Sequence, residues 1–158
     1  MIYIGIGSNL GNRIKNINKA KYFLSLNGIN ILKSSSYYES LSWPDQNNPK
    51  FINIVIQSDT NILPKKILQI SQSIENKLGR KKTYKNAPRT CDIDILSYKD
   101  RVTSGDITIP HNRMSKRNFV LIPLFEIAPN FVHPKTNITI KKLIFSLSNK
   151  DITSIKLI

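Results

Sequence analysis

Cys91-Asp92-Ile93-Asp94-Ile95-Leu96-Ser97-Tyr98 alternates apolar and acidic side chains through its first five residues, the period of a half-buried strand. In such a strand Asp92 and Asp94 point to one face, while Cys91, Ile93 and Ile95 point to the other and can fill a core. The two aspartate Cα atoms then lie about 6.6 Å apart, two residues at a rise of about 3.3 Å. Like charges side by side on a strand repel unless something neutralises them. A bare D-x-D pair therefore has two readings: a solvated face with ion pairs to the many lysines, or a site for a hard cation. Mg²⁺ suits the second, because it takes one or two carboxylates and completes its shell with water and substrate phosphates.

Outward from that strand the chain reads as an alternation of strands and helices. Upstream, Pro64 suits the first turn of a helix running to about Leu78, with Gly79 as its stop and Ile67, Ile70, Ile74 and Leu78 as its buried stripe. Gln72 and Glu75 lie on a neighbouring stripe. Residues 51–58 form a strand with Ile52, Ile54 and Ile56 facing the core and Phe51 and Asn53 on the opposite face. Residues 39–50, with two prolines, are a polar loop, and residues 29–38 read as another strand. Residues 1–7 alternate with Ile2, Ile4 and Ile6 on one face, leaving Gly5 and Gly7 on the other, where something can approach the backbone closely. Asn9 and Asn12 are candidate caps for a helix over about 12–27, with Ile14, Ile17, Ala20 and Leu24 as its stripe and Gly28 at its exit. Downstream, 106–109 suggests a short strand, 115–126 and 139–147 short helices, and 152–157 an edge strand. The order β-α-β-β-α-β predicts an α+β, ferredoxin-like sandwich, an antiparallel sheet with helices on one side, carrying C-terminal additions within a single domain over 1–158.

Composition adds limits. The 158 residues carry a formal charge of +14, and Ile, Lys and Asn make up 61 of them. All three have AT-rich codons, so drift accounts for part of the lysine excess. Clustering says more: residues 77–89 hold Lys77, Arg80, Lys81, Lys82, Lys85 and Arg89 and no acid, which reads as an exposed loop attractive to anions. Cys91 is the single cysteine, so no internal disulfide can form. No run of 18 apolar residues exists and no basic stretch precedes the first strand, so a cytoplasmic protein without membrane contact is expected.

The surroundings of the acids favour the cation. Arg89 precedes them, and His111, Arg113, Lys116 and Arg117 follow. Carboxylates that hold a metal beside cationic side chains are what triphosphate chemistry needs. Gly5-Ile6-Gly7-Ser8-Asn9-Leu10-Gly11 lacks the Gly-Lys-Ser/Thr ending of a P-loop. An aromatic and an amide on one strand face, Phe51 and Asn53, can stack on a flat heterocycle and hydrogen-bond to it, although a strand aromatic is more often core.

These stretches resemble the 6-hydroxymethyl-7,8-dihydropterin pyrophosphokinase family. The resemblance rests on Gly7-Ser8-Asn9-Leu10, Phe51-Ile52-Asn53, Gln72-Ser73-Ile74-Glu75 with Gly79-Arg80, Pro88-Arg89-Thr90-Cys91-Asp92-Ile93-Asp94-Ile95-Leu96, Ile109-Pro110-His111, and Arg117-Asn118-Phe119-Val120-Leu121-Ile122-Pro123-Leu124. It implies transfer of the β,γ-pyrophosphoryl group of ATP to the pterin hydroxymethyl oxygen, with AMP leaving, in folate biosynthesis. It implies two Mg²⁺ ions held by Asp92 and Asp94, and an ATP site lined by Gln72, Arg89, Ile95, Thr108, His111 and Arg117. The pterin would lie between Phe51 and Phe119, read by Asn53, with Ser40 and Trp43 completing the pocket. Arg80, Lys82 and Arg89 would act on the phosphates, with Glu75 as a support. ATP and the dihydropterin are the expected partners of a monomer. RNA-binding sheets present exposed aromatics, whereas this face carries two acids, so nucleic acid is not an expected partner. Against the family pattern, the basic loop is one residue shorter, Lys82 stands where arginine is usual, Asn86 replaces an aromatic, and Asn112 and Asn118 also differ. Lysine lacks the bidentate grip of arginine on phosphate, so turnover slower than is typical of the family is expected.

Overall fold

The computed structural model describes residues 1–81, 84 and 86–158. Its strands and helices are β1 (Ile2–Ser8), α1 (Arg13–Leu26), β2 (Asn30–Ser34), β3 (Tyr38–Ser40), β4 (Phe51–Asp59), α2 (Pro64–Lys77), β5 (Asp92–Tyr98), α3 (Asn118–Ile127), α4 (Ile140–Phe145), α5 (Asn149–Ser154) and β6 (Lys156–Leu157). A 3-10 turn, Met114–Lys116, precedes α3. The sheet runs β5-β1-β4-β3-β6, with β2 also on β4, and every pairing is antiparallel. This is the expected ferredoxin-like order.

One face of the sheet buries Ile2, Ile4, Ile6, Ile52, Ile54, Ile56, Ile93 and Ile95 against Ile17, Ala20 and Leu24 of α1 and Ile67, Ile70 and Ile74 of α2. Ile14, expected in the α1 stripe, is 41% exposed, so the buried stripe begins one turn later. The α1 start is capped by Asn12, whose side chain accepts from the Lys15 N–H at 3.0 Å.

Helices do not stay on one side. Val55 and Leu96 on the other face pack with Met114, Val120, Leu121, Leu124 and Ile127, and Ile140 and Leu143 of α4 join the same cluster. The physical reason is the sequence of α3, Asn-Phe-Val-Leu-Ile-Pro-Leu-Phe, which is apolar nearly all round and must be covered on more than one side. The C-terminal additions thus cover half of the second face and leave the other half open.

Other elements differ from expectation. The strand expected over 29–38 breaks into β2 and β3. At the break the Ser35 N–H donates to the Val55 carbonyl at 2.9 Å, while the Val55 N–H donates to Ser35 Oγ at 3.0 Å, so the ladder runs through a side chain. Ser36 then donates its N–H and its hydroxyl to Glu126 of α3. The strand expected at 106–109 is a single bridge between Thr103 and Ile109. The tail expected as an edge strand forms α5 first, capped by Ser148, and then the two-residue β6. No helix among the described residues is long and apolar enough to cross a membrane.

Candidate active site

The open half of the second face is set by strand register. Gly7 of β1 lies between Asp92 of β5 and Asn53 of β4, and Gly5 lies between Asp94 and Val55. Two missing side chains therefore leave a trough with carboxylates along one bank. A Cβ on Gly7 would meet Asn53 Oδ1 at 2.8 Å and Phe51 Cδ1 at 3.3 Å. Close approach of Phe51 and Asn53 thus depends on glycine at that position.

Cations line the acids. Arg89 reaches Asp92 at 2.7 Å, and Arg80 bridges Asp92 at 2.9 Å and Glu75 at 2.6 Å. Arg117 reaches Asp94 at 3.2 Å, and His111 Nε2 lies 3.8 Å from it. Burial and the neighbouring Asp92 charge raise the Asp94 carboxyl above the ordinary range, against the pull of His111 and Arg117. Burial lowers His111. Its Nδ1 accepts the Arg113 N–H at 3.1 Å, which leaves Nε2 to carry a proton toward Asp94. Glu75 accepts the Ile93 N–H at 2.8 Å as well as Arg80, so it braces β5 and the cation from beneath. Burial raises its carboxyl despite both partners.

The expected ring-binding residues come together in one cleft. Ser40, Trp43, Phe51, Asn53 and Phe119 line it, with Asn86, Arg89, Asp92 and Arg117 at its margin. Asn53 Nδ2 donates to Ser40 Oγ at 2.8 Å, which fixes the amide. The Arg89 guanidinium lies 5.3 Å from the Phe51 ring centre and the Arg117 guanidinium 5.4 Å from that of Phe119. Asn86 holds φ of 61°, a left-handed conformation that asparagine tolerates.

A second pocket adjoins the first. Ile95, Thr108, His111 and Arg117, four of the expected ATP-site residues, line it together with Leu68, Asp94 and Arg113. Arg89 instead lines the ring cleft. Gln72 is exposed on α2, one turn beyond Leu68, and is not among the residues lining either pocket. Lys82 lies outside the described residues. Among the described residues no three His, Cys, Asp or Glu side chains are grouped to cage a metal by themselves. The two hard carboxylates fit a cation that keeps water and phosphate in its shell, which is the habit of Mg²⁺.

Two roles escaped the sequence. Asn9, a candidate cap, is a buried clamp instead. Its Oδ1 accepts the Arg89 N–H at 2.7 Å, its N–H donates to the Arg89 carbonyl at 3.1 Å, and its Nδ2 donates to the Pro49 carbonyl at 3.0 Å. It thereby ties the segment before β5 to the loop before β4. Arg113 lines the second pocket and stacks 5.2 Å from the Trp43 ring centre. A signal for it existed. The chain has 18 lysines and only six arginines, and four of the six (Arg80, Arg89, Arg113 and Arg117) stand at this site.

A family model described as 7,8-dihydro-6-hydroxymethylpterin-pyrophosphokinase matches residues 3–129. A 2-amino-4-hydroxy-6-hydroxymethyldihydropteridine pyrophosphokinase of Aquifex aeolicus is 42% identical over 138 residues, covering 84% of this chain and 83% of the relative. The folic acid synthesis protein of Pneumocystis carinii is 40% identical over 152 residues, where the match covers 96% of this chain but 20% of that larger protein. A crystal structure of Plasmodium falciparum HPPK-DHPS superposes with a TM-score of 0.76 at 15% identity, over 99% of this chain and 46% of that one, which speaks for the fold.

Proposed function

Since the chain belongs to the 7,8-dihydro-6-hydroxymethylpterin-pyrophosphokinase family, we propose that it transfers the β,γ-pyrophosphoryl group of ATP to 6-hydroxymethyl-7,8-dihydropterin, a step of folate biosynthesis. The hydroxymethyl oxygen bonds to the β-phosphorus, the bond from that phosphorus to the α,β-bridging oxygen breaks, and AMP leaves with the oxygen. The hydroxyl proton passes to solvent. One observation carries this reading above the rest: Asp92 lines the ring cleft, Asp94 lines the adjoining pocket, and Arg117 lines both. The carboxylates stand where a ring substrate and a nucleotide would meet.

In-line displacement chiefly demands alignment and charge neutralisation. Asn53 and Ser40 hold the polar edge of the pterin, and Phe51 and Phe119 hold its faces. Ile95, Thr108 and His111 line the nucleotide side, with Gln72 at the margin. Asp92 and Asp94 would hold Mg²⁺, two ions in the full complex. Magnesium, when bound, supplies neutralisation of phosphate oxygens and a more acidic attacking hydroxyl. Arg80, Arg89 and Arg117 already stand within ion-pair distance of these acids, so a phosphate placed there exchanges one anionic partner for another without long movement. Lys82 would add charge from the basic loop. The proposed unit of action is the monomer.

Incubation with ATP, Mg²⁺ and the hydroxymethyl-dihydropterin tests this. AMP should form in step with the pterin diphosphate. Formation of ADP, or nucleotide turnover indifferent to the pterin, overturns it.

A further inference from the structure

Behind Trp43 the ring cleft opens into a larger chamber of ≈ 450 Å³ that the reaction above does not use. Leu41, Trp43 and Phe119 give it apolar walls, Arg113, Lys116 and Arg117 give it cations, and Ser154 of α5 closes it. Leu41, Trp43, Phe119 and Arg117 also line the ring cleft, so the two spaces are continuous. Arg113 and Arg117 both stack on the Trp43 ring, at 5.2 and 5.9 Å. Among the described residues neither Arg113 nor Lys116 has a carboxylate within 4.0 Å, while Arg117 pairs with Asp94. Asp151 is the one acid lining the chamber, and its carboxylate accepts the Ser148 hydroxyl at 2.7 Å. Among the described residues, two cations without a carboxylate partner against one acid leave the space positive. α5 is held in place from the side of the site, because Asn118 Nδ2 donates to the Asp151 carbonyl at 2.6 Å and to Ser154 Oγ at 3.1 Å.

We propose that this chamber is a station for the diphosphorylated product on its way out, with the diphosphate on Arg113 and Lys116 and the ring against Trp43. The assignment rests on the pyrophosphokinase reading of the site, and its logic is chemical. The pterin substrate ends in an uncharged hydroxymethyl group and gains nothing from unpaired cations. The product carries a diphosphate with several negative charges on that carbon's oxygen, and those charges find Arg113 and Lys116 here, neither paired with a carboxylate. AMP carries a ring and a phosphate but belongs to the nucleotide side. The chamber therefore distinguishes the molecule after transfer from the molecule before it.

The chain has a single tryptophan, Trp43, so its fluorescence reports occupancy directly. Binding of supplied pterin diphosphate, of the neutral hydroxymethyl-pterin and of AMP would be titrated for the wild type, for Arg113→Ser/Lys116→Ser and for Lys116→Ser alone. Arg113 and Lys116 are exposed, so folding should survive both changes. The expected result is product affinity lowered about tenfold and product dissociation accelerated in the double variant. Lys116→Ser should move the same way by less, since Lys116 lines the chamber and not the nucleotide pocket. Affinity for the neutral pterin should stay unchanged. Unaltered product binding overturns the proposal. So does equal loss for the neutral pterin, or, in Lys116→Ser, equal loss for AMP. The titrations use supplied product, so they stand apart from the turnover assay, whose failure would instead remove the reaction itself.

Discussion

The ring cleft and the phosphate side of the site share a sheet face but are held together by different forces. Inside its charged margin of Arg89, Asp92 and Arg117, the cleft is built from neutral contacts: the buried Asn53–Ser40 hydrogen bond at 2.8 Å and the packing of Phe51 and Asn53 over Gly7. The phosphate side is built from charges that satisfy one another, Arg80 and Arg89 with Asp92, and Arg117 with Asp94. Neutral packing is short-ranged and specific in shape, so folding itself completes the cleft. Ion pairs at a partly open surface contribute little to stability. They leave each partner available to phosphate or to a cation.

That contrast can be broken from either side. The largest effect is expected from Asp94→Ala, which removes half of the proposed cation site. Turnover should fall by about 10³-fold or more, and magnesium-dependent binding of an ATP analogue should disappear while pterin binding persists. Isothermal titration of each ligand separates the two. Gly7→Ala should act in the opposite sense. The added Cβ would push Asn53 and Phe51 aside, and misplacement on that scale should raise the pterin KM about tenfold or more, with ATP binding little changed. An ordinary pterin KM in that variant would remove the close-packing account of the cleft.

Acidity sharpens the same line. The Asp94 pKa is raised in the folded chain, so its contribution to stability is present below its ordinary pKa and is lost as pH rises through the raised value. A cation competes with that proton. Magnesium–ATP affinity should therefore weaken as pH falls toward the raised value, whereas pterin affinity, which rests on neutral groups, should stay flat over that interval. Parallel titrations check this, and an equal decline of both would count against it. The smallest effect on function is expected at Cys91, directly before the acids but on the core face. Burial pushes its thiol up to about 12, so native protein should resist alkylation. Cys91→Ala should cost about 1–2 kcal/mol of stability, read by denaturant unfolding, with unchanged activity.

Much of this was legible in the chain. Period-two runs at Ile2–Ile6, Ile52–Ile56 and Cys91–Ile95 fixed three strands and their faces, because alternation is a local property of an extended backbone. The helical stripes of α1 and α2 followed in the same way. Less legible was anything that depends on a partner distant in sequence. Ser35 looks like an ordinary strand residue until its hydroxyl replaces a carbonyl in the ladder with Val55. Residues 115–126 read as a helix, but which surfaces covered it was not readable, because a helix apolar all round carries no single direction.

The candidate site divides along the same boundary. The residue types and their order (two acids one residue apart, cations on either side, an aromatic and an amide on one strand) were determined by sequence, since same-face placement needs only strand geometry. Tertiary structure decided the rest. It set Asn9 as the clamp between Arg89 and Pro49, brought Arg113 onto Trp43, and put Asp92 and Asp94 at the mouths of two different pockets. Such placements arise where strand register, a sheet edge and a loop meet across dozens of residues, and no local period in the chain encodes that meeting.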